Sequence, residues 1–356
     1  MSSSLFFLTS GLFLAWSLGA NNAANIFGPA VGTKMVRFYT AAAITSVFVI
    51  AGAVLEGGGA ASTLGRLGAV NALAGSFTVA LAVAVTVFLM TKVGLPVSTS
   101  QAIVGGIIGW NFFTGFNTDW SIMADIVATW IFSPVLAGVF ASSLFLLFNF
   151  ILKHSNIHLL KQDVFTRTMY IVVGAFGAYS LGANNIANAM GVFVPTFPFE
   201  GLTINGAQWL SSTQVLFLLG SIAIGVGVFT YSYKVIRTVG NEIFRMSPIA
   251  GLIVVMSESL VLFLFGSKSL KMLLTNWGLP SFPLVPVSSS QAIVGAVLGI
   301  ALAKGGRNIN FKVLGRISIG WVVTPLIACI ITFFTLYVMQ NVFEQQVVIQ
   351  TMNLQP

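Results

Sequence analysis

The sequence predicts an all-α, multi-pass membrane protein built from two inverted structural repeats, with broken helices and two re-entrant helical hairpins. Three observations support this fold class. The mean hydropathy is +0.95 and only 7% of the 356 residues are charged, whereas a soluble domain carries roughly 25% charged residues. Two short polar motifs each occur twice, in the same order, within apolar sequence. Basic residues concentrate between the apolar runs, as they do in the loops of membrane proteins.

In the first half, five apolar segments alternate with short polar or basic loops, and we expect each segment to form a helix. The first is short and runs into a polar motif, after which Gly28 and Pro29 predict a helix break. The segment that follows Pro96 is too short to cross and is expected to be half of a re-entrant hairpin. The last segment, 120–152, is long enough for either one kinked helix or a hairpin. The segments are 5–18, 39–55, 69–93, 97–110 and 120–152.

The clearest change in composition lies at 153–168, which we interpret as a charged linker loop between a first repeat at 1–152 and a second at 169–356. Four further helices and a second hairpin after Pro286 repeat the plan of the first half. The basic segments 153–167, 234–245 and 304–316 are expected to be loops in the cytoplasm. The corresponding loops of the first half are less basic, which favours opposite insertion of the two halves. Such duplication with discontinuous helices is typical of secondary transporters. The helices are predicted at 170–181, 214–230, 249–265 and 317–339.

A hydroxyl-rich motif follows a proline and opens an apolar helical stretch at 96–105 and again at 286–295. Unpaired N–H groups and a partial positive charge at a helix N-terminus suit a tetrahedral oxyanion. The alternative is simple capping of the helix by the first serine, which the twofold recurrence of the whole motif disfavours. We predict that both copies bind one anion, together with asparagines of the other motif. The predicted substrate-binding residues are Ser98, Thr99, Ser100, Gln101, Ser288, Ser289, Ser290, Gln291, Asn22 and Asn185.

An asparagine-rich motif occurs at 19–25 and again at 182–188. Its amide carbonyl oxygens are hard ligands, and a broken helix would add backbone carbonyls, a combination that suits sodium. Helix–helix hydrogen bonding is the alternative for buried asparagines. Glu258, flanked by serines in an apolar segment, is a candidate carboxylate for the coupling cation or a proton, whereas Glu56 is expected to reach the membrane interface. The predicted cation-binding residues, with sodium as the ion, are Asn21, Asn22, Asn25, Asn184, Asn185, Asn188 and Glu258.

Neither motif contains Lys or Arg. A desolvated, multiply charged anion needs counter-charge, so we expect a cation to accompany it, which favours symport over an anion channel. An enzyme is disfavoured because no base accompanies the serines, and no cofactor other than sodium as the coupling ion is expected. The formal charge of +8 lies largely in loops, so the expected partner is the lipid bilayer and not nucleic acid.

These motifs make the chain resemble the inorganic phosphate transporter (PiT) family. The family's first signature, Gly-Ala/Ser-Asn-Asp-x-Ala-Asn, is similar to 19–25 and 182–188, and its second, Pro-Val-Ser-Thr-Thr-His, is similar to 96–101 and 286–291. The resemblance spans nearly the whole chain. It implies a cation-coupled symporter of inorganic phosphate in the cell (inner or plasma) membrane, with sodium as the expected coupling ion. It also implies alternating access, inverted repeats and a homodimer.

The chain departs from the family at two positions in each half. Asn22 and Asn185 stand in place of the family's Asp, and Gln101 and Gln291 in place of its His. The site therefore loses two carboxylates and two imidazoles, and should need fewer coupling cations per anion. Proton coupling is impossible at these positions but remains open at the glutamates. The alternative function is a symporter of sulfate or another tetrahedral oxyanion on the same fold, with proton coupling as the alternative to sodium.

Overall fold

The computed structural model describes residues 2–68, 70–92, 97–155, 158–197, 200–204, 207–242, 246–306 and 311–349. Within them the chain is almost entirely α-helical. The helices are α1 (Ser2–Asn21), α2 (Ala23–Gly32), α3 (Phe38–Glu56), α4 (Gly58–Leu67), α5 (Leu73–Lys92), α6 (Thr99–Thr114), α7 (Trp120–His154), α8 (Leu159–Met190), α9 (Ser212–Glu242), α10 (Pro248–Gly266), α11 (Lys268–Asn276), α12 (Ser289–Ala303) and α13 (Phe311–Asn341). A 3₁₀ turn (Gly191–Phe193) and an antiparallel hairpin of β1 (Leu202–Ile204) and β2 (Ala207–Leu210) join α8 to α9.

Seven of the described helices are long and apolar enough to cross a membrane, namely α3, α5, α7, α8, α9, α10 and α13. The prediction of an all-α, multi-pass membrane protein is confirmed. The helices that follow the serine motifs, α6 and α12, have only 16 and 15 residues, fewer than the ~20 that a crossing needs. Most of their residues are nevertheless buried, because longer helices surround them.

The helix break near the first asparagine motif was predicted at the wrong position. α1 ends at Asn21, Asn22 is a turn residue, and Pro29 lies inside α2. In the second half the expected break is absent, because α8 continues through 182–188 to Met190. Val192 occupies the position that corresponds to Pro29 (29 + 163 = 192), so this proline is not duplicated with the motif. Two similar sequences therefore have different backbones.

The linker loop predicted at 153–168 is mostly helical. α7 continues to His154 and α8 begins at Leu159. Arg167 on α8 pairs with Asp163 one turn earlier, at 2.7 Å, so charged residues extend the helix instead of ending it. In the same way α9 continues to Glu242, into a segment expected to be a basic loop. The apolar region at 120–152 is one helix of 35 residues that contains Pro134, and not a hairpin.

Helices from the two halves pack against each other through glycines at matched positions. A Cβ on any of four glycines of α6 and α12 would overlap the backbone of the facing helix, so these pairs approach closely. In each pair of helices, the second contact lies four residues after the first on both helices, so the two helices run parallel. The contacts are Gly105 with Pro325 and Gly109 with Cys329 between α6 and α13, and Gly295 with Pro134 and Gly299 with Gly138 between α12 and α7.

The helices that carry the asparagine motifs show the same exchange between halves. α1 packs against α9, and α8 packs against α3. Here too the contacts involve glycines that lie against backbone atoms, so the motif-bearing segments are held close to a helix of the other half. The contacts are Gly19 with Ile224 and Gly227 with Trp16, and Gly52 with Tyr179 and Gly182 with Val49.

Candidate functional site

The first serine of each hydroxyl-rich motif caps the helix that follows it. The Ser98 hydroxyl accepts a hydrogen bond from the Gln101 N–H at 3.3 Å, and the Ser288 hydroxyl accepts one from the Gln291 N–H at 3.2 Å. Capping therefore explains these two serines. It does not explain the hydroxyl groups at the next two positions of each copy, which are also buried.

The N-termini of α6 and α12 meet, although they lie far apart in the sequence. The Ser100 hydroxyl on α6 donates to the Val287 carbonyl at 3.0 Å, and Val287 directly precedes the serine that caps α12. Two helix N-termini, each with partial positive charge and free N–H groups, therefore lie side by side. The two copies of the motif form one cluster, as the sequence predicted.

Asparagines of each half donate to hydroxyl groups of the other half. The Asn25 amide nitrogen donates to the Ser289 hydroxyl at 2.9 Å. At the corresponding position of the second copy, the Asn188 amide nitrogen donates to the Ser100 hydroxyl at 2.9 Å and to the Asn185 Oδ1 at 2.9 Å. Hydrogen bonds therefore join predicted anion-binding to predicted cation-binding residues in two groups, one at Ser289 and one at Ser100, and the backbone of 287–289 connects the two groups into what we call the network.

Glu258 joins this network from α10. Its side chain is completely buried, and its Oε1 accepts a short hydrogen bond from the Ser289 hydroxyl. The neighbouring Ser257 and Ser259 donate to carbonyls of their own helix, at 2.8 and 2.6 Å, and not to the carboxylate. A chain of hydrogen bonds therefore runs from Asn25 through Ser289 to Glu258, linking α2, α12 and α10.

Asn184 has a structural contact that the sequence did not reveal. Its amide nitrogen donates to the Val285 carbonyl at 3.2 Å, and its Oδ1 accepts from the Val287 N–H at 3.1 Å. These two bonds fix the extended segment that leads into α12. Spacing within a motif cannot indicate a partner 101 positions away, so no sequence signal would have found this contact.

Asn21 and Asn22 were predicted as cation ligands, and the structure places them at the break between α1 and α2. Asn21 is half-buried and Asn22 is buried, and among the described residues neither side chain makes a hydrogen bond. Asn25 follows in the first turn of α2. Because Pro29 has no N–H, the Asn25 carbonyl lacks its usual donor four residues on. The first motif therefore offers a backbone oxygen beside the network.

Several buried polar atoms of the network have no hydrogen-bond partner among the described residues. Buried unpaired polar groups are rare in native proteins, and each needs an explanation. Most of these atoms are oxygens. The amide and carboxylate oxygens can only accept a hydrogen bond, whereas the threonine hydroxyl group can donate or accept one. Glu258 is the one formally charged side chain of the network. The atoms are Thr99 Oγ1, Gln101 Oε1, Asn185 Nδ2, Asn188 Oδ1, Glu258 Oε2 and Gln291 Oε1.

Glu56 lies outside this network. It ends α3, is 5% exposed, and its Oε2 accepts a hydrogen bond from the Ser269 N–H at 3.0 Å, at the start of α11. The expectation that it reaches the interface is wrong, because the N-terminus of α11 covers it. A carboxylate at a helix N-terminus is stabilised by the free N–H groups there, which is sufficient to explain this residue.

Comparison with known proteins gives one consistent result. The sequence profile of the phosphate transporter family matches residues 18–332 and 281–356. A protein of Pyrococcus abyssi is 26% identical over 401 residues, covering 91% of this chain and 95% of the relative. One of Methanocaldococcus jannaschii is 28% identical over 327 residues, covering 92% and 94%. Both carry the name "Putative phosphate permease".

A solved structure, "The sodium-dependent phosphate transporter", has a similar fold. It aligns with a TM-score of 0.74 at 22% identity, covering 96% of this chain and 99% of the other. The family match, the fold and the helices long enough to cross a membrane agree with one another. The chain is a multi-pass membrane protein and a transporter, not an enzyme, and it belongs to the phosphate transporter family.

Proposed function

We propose that the protein is a sodium-coupled symporter of inorganic phosphate that works by alternating access. The observation that carries this proposal is the network, in which hydrogen bonds join each serine motif to an asparagine motif and one of the serines to a buried glutamate. Such a network is costly to bury in a membrane protein, where polar groups mark the substrate and ion pathway. Its members come from both halves of the chain.

Phosphate would bind at the two adjacent helix N-termini. The first turns of α6 and α12 provide N–H groups without intrahelical acceptors, together with the buried hydroxyl groups of Thr99, Ser100, Ser289 and Ser290. These groups are neutral, so they would stabilise an anion without a formal positive charge. The hydroxyl groups of Ser100 and Ser289, which donate to the Val287 carbonyl and to Glu258 in this structure, would turn their hydrogen towards the anion. The names of the relatives and of the structural neighbour support phosphate as this anion.

Sodium would bind at oxygens that the network leaves unpaired. The Glu258 Oε2 and Asn188 Oδ1 are buried acceptors without a donor among the described residues, and the Asn25 carbonyl lacks its helical donor. Hard oxygen ligands of this kind suit an alkali cation, and broken transporter helices bind sodium in this way. A cation here would also neutralise the carboxylate and part of the anion's charge, which reduces the desolvation cost.

The same acceptors favour phosphate over sulfate. At neutral pH phosphate carries at least one proton, which needs an acceptor, whereas sulfate has none. A site made only of donors would suit sulfate equally well. The unpaired oxygens of Glu258 and Asn188 are therefore more useful to phosphate, because its hydroxyl group can donate to one of them.

Alternating access would use the two halves as moving units. The matched glycine contacts pair α6 with α13 and α12 with α7 in the same parallel sense, which supports two inverted repeats related by a pseudo-twofold axis. The lengths of α6 and α12 support re-entrant hairpins that end at the bound anion. The homodimer implied by the family resemblance stays a prediction.

The proposal is tested by transport in proteoliposomes. We expect uptake of radiolabelled phosphate that depends on an inward sodium gradient and is not replaced by an inward potassium gradient. Radiolabelled sulfate is the matched competitor, and we expect at least tenfold slower uptake at equal concentration. Phosphate uptake that follows an imposed pH gradient without sodium would refute sodium coupling, and equal uptake of sulfate would refute the assignment of phosphate.

A further inference from the structure

A second duplicated motif lies outside the network and carries two unpaired indole groups. Trp130 stands four residues before Pro134 on α7, and Trp321 stands four residues before Pro325 on α13. In both copies the residue just before the proline is a hydroxyl residue. The indole N–H of each tryptophan is buried and has no hydrogen-bond partner among the described residues.

Each tryptophan lies on the helix face that contacts a glutamine-bearing helix of the other half. On α13, Pro325 contacts Gly105 of α6, and the two helices run parallel. Residues four positions apart share a helix face. One turn before this contact, Trp321 therefore lies level with Gln101.

The second pair has the same register. Pro134 on α7 contacts Gly295 on α12, and one turn earlier Trp130 lies level with Gln291. In both glutamines the Oε1 is buried and unpaired within the described part of the chain. In each of two places related by the duplication, an unpaired donor therefore lies level with an unpaired acceptor on the neighbouring helix.

We propose that Trp321 and Trp130 are positioning residues of the anion site, whose indole N–H groups pair with the Oε1 atoms of Gln101 and Gln291 when the anion is bound. A glutamine amide has one acceptor and one donor end. If the indole N–H donates to the glutamine Oε1, the NH₂ group of the same amide is directed towards the anion. In the opposite orientation, the glutamine Oε1 would point at the anion and repel it. This inference rests on the proposed function, since it assigns a task to residues of that site.

Gln101 and Gln291 stand where the motif of the phosphate transporter family has histidine, and a glutamine amide at this position benefits from a partner of fixed polarity. An amide can rotate by half a turn at little cost and exchange its donor for its acceptor, so it needs an outside group to fix its orientation. The indole N–H is a donor only and can bond to one end of the amide but not the other. The sequence signal for this pair is the recurrence of Trp-x-x-Ser/Thr-Pro at 130–134 and 321–325.

The test removes each N–H while keeping an aromatic ring. For Trp321→Phe and Trp130→Phe we expect the KM for phosphate to rise about 2- to 12-fold, the value of one neutral hydrogen bond, with little change in the maximal rate. Trp120→Phe is the matched control, because Trp120 is on α7 but exposed, and its KM should stay at the wild-type value. Unchanged KM in both test variants would refute the proposal.

A double-mutant comparison shows whether the indole acts through the glutamine. In the Gln101→Ala background, Trp321→Phe should change the KM less than twofold, whereas in the Gln291→Ala background it should keep its full effect. A full effect in the Gln101→Ala background would mean that the indole contacts the anion directly or acts on packing alone, and would overturn the pairing.

Phosphate binding to the purified protein separates this inference from the proposed function. The thermal shift caused by added phosphate is measured for wild type and for the same variants. A wild type that binds phosphate but shows no uptake would refute symport alone, and the variants would still test the pairing through binding. Failure of the pairing with normal wild-type uptake would refute only the role of the tryptophans.

Discussion

Glu258 offers the sharpest test of cation coupling. In Glu258→Gln the side chain keeps its size and a carbonyl oxygen that can accept from Ser289, but loses the negative charge. Two unit charges 4 Å apart interact by about 4 kcal/mol at an effective dielectric constant of 20. Because the amide oxygen remains a ligand and the network relaxes, we expect about 2 to 4 kcal/mol of cation affinity to be lost. This corresponds to a rise of roughly 30- to 700-fold in the half-saturating sodium concentration.

The assay is initial phosphate uptake into proteoliposomes over a range of sodium concentrations. The control is Glu56→Gln, which also neutralises a buried carboxylate, but one that contacts the N-terminus of α11 and not the network. It should lower protein yield or stability and leave the sodium dependence unchanged. A wild-type sodium dependence in Glu258→Gln, or an equal change in both variants, would refute the assignment of the cation to Glu258.

Three further predictions concern the site and its supporting contacts. Ser100→Ala, which removes a hydroxyl that donates to one partner and accepts from another, should raise the phosphate KM about 3- to 30-fold, and a wild-type KM would exclude Ser100 from the anion site. Asn184→Ala should loosen the segment before α12 and raise the same KM about tenfold, with faster hydrogen exchange at the amides of Val285 and Val287 as the second measurement. Gly105→Ala should cost about 1 to 3 kcal/mol by overlap with the facing helix, measured by thermal unfolding in detergent, whereas Gly65→Ala, which has open space, should be neutral or stabilising.

The sequence alone determined the membrane class and identified most of the residues that form the network. A low charge content cannot be reconciled with a water-soluble fold, so the class follows from composition. The duplicated motifs identified the residues that form the network, because polar clusters are costly in an apolar setting unless they meet partners or ligands. These are local properties of the chain, and they do not depend on how the helices pack.

The tertiary structure decided which residues contact each other. Asn25 reaches Ser289 across 264 positions and Asn188 reaches Ser100 across 88, and no spacing rule connects such pairs. Packing also distinguished the two candidate glutamates. Glu258 accepts a hydrogen bond within the network, whereas Glu56 accepts one from the N-terminus of α11.

Local backbone geometry also escaped prediction. The two asparagine motifs are nearly identical, yet one is interrupted at Asn22 while the other lies within an unbroken helix. Charged residues at 159–168 continue α8 although their composition indicated a loop. Helix ends depend on tertiary contacts, which the sequence of the motif does not contain. Sequence thus identified the polar residues of the network, whereas helix packing determined how they are joined, because hydrogen bonds between distant segments exist only once those segments meet.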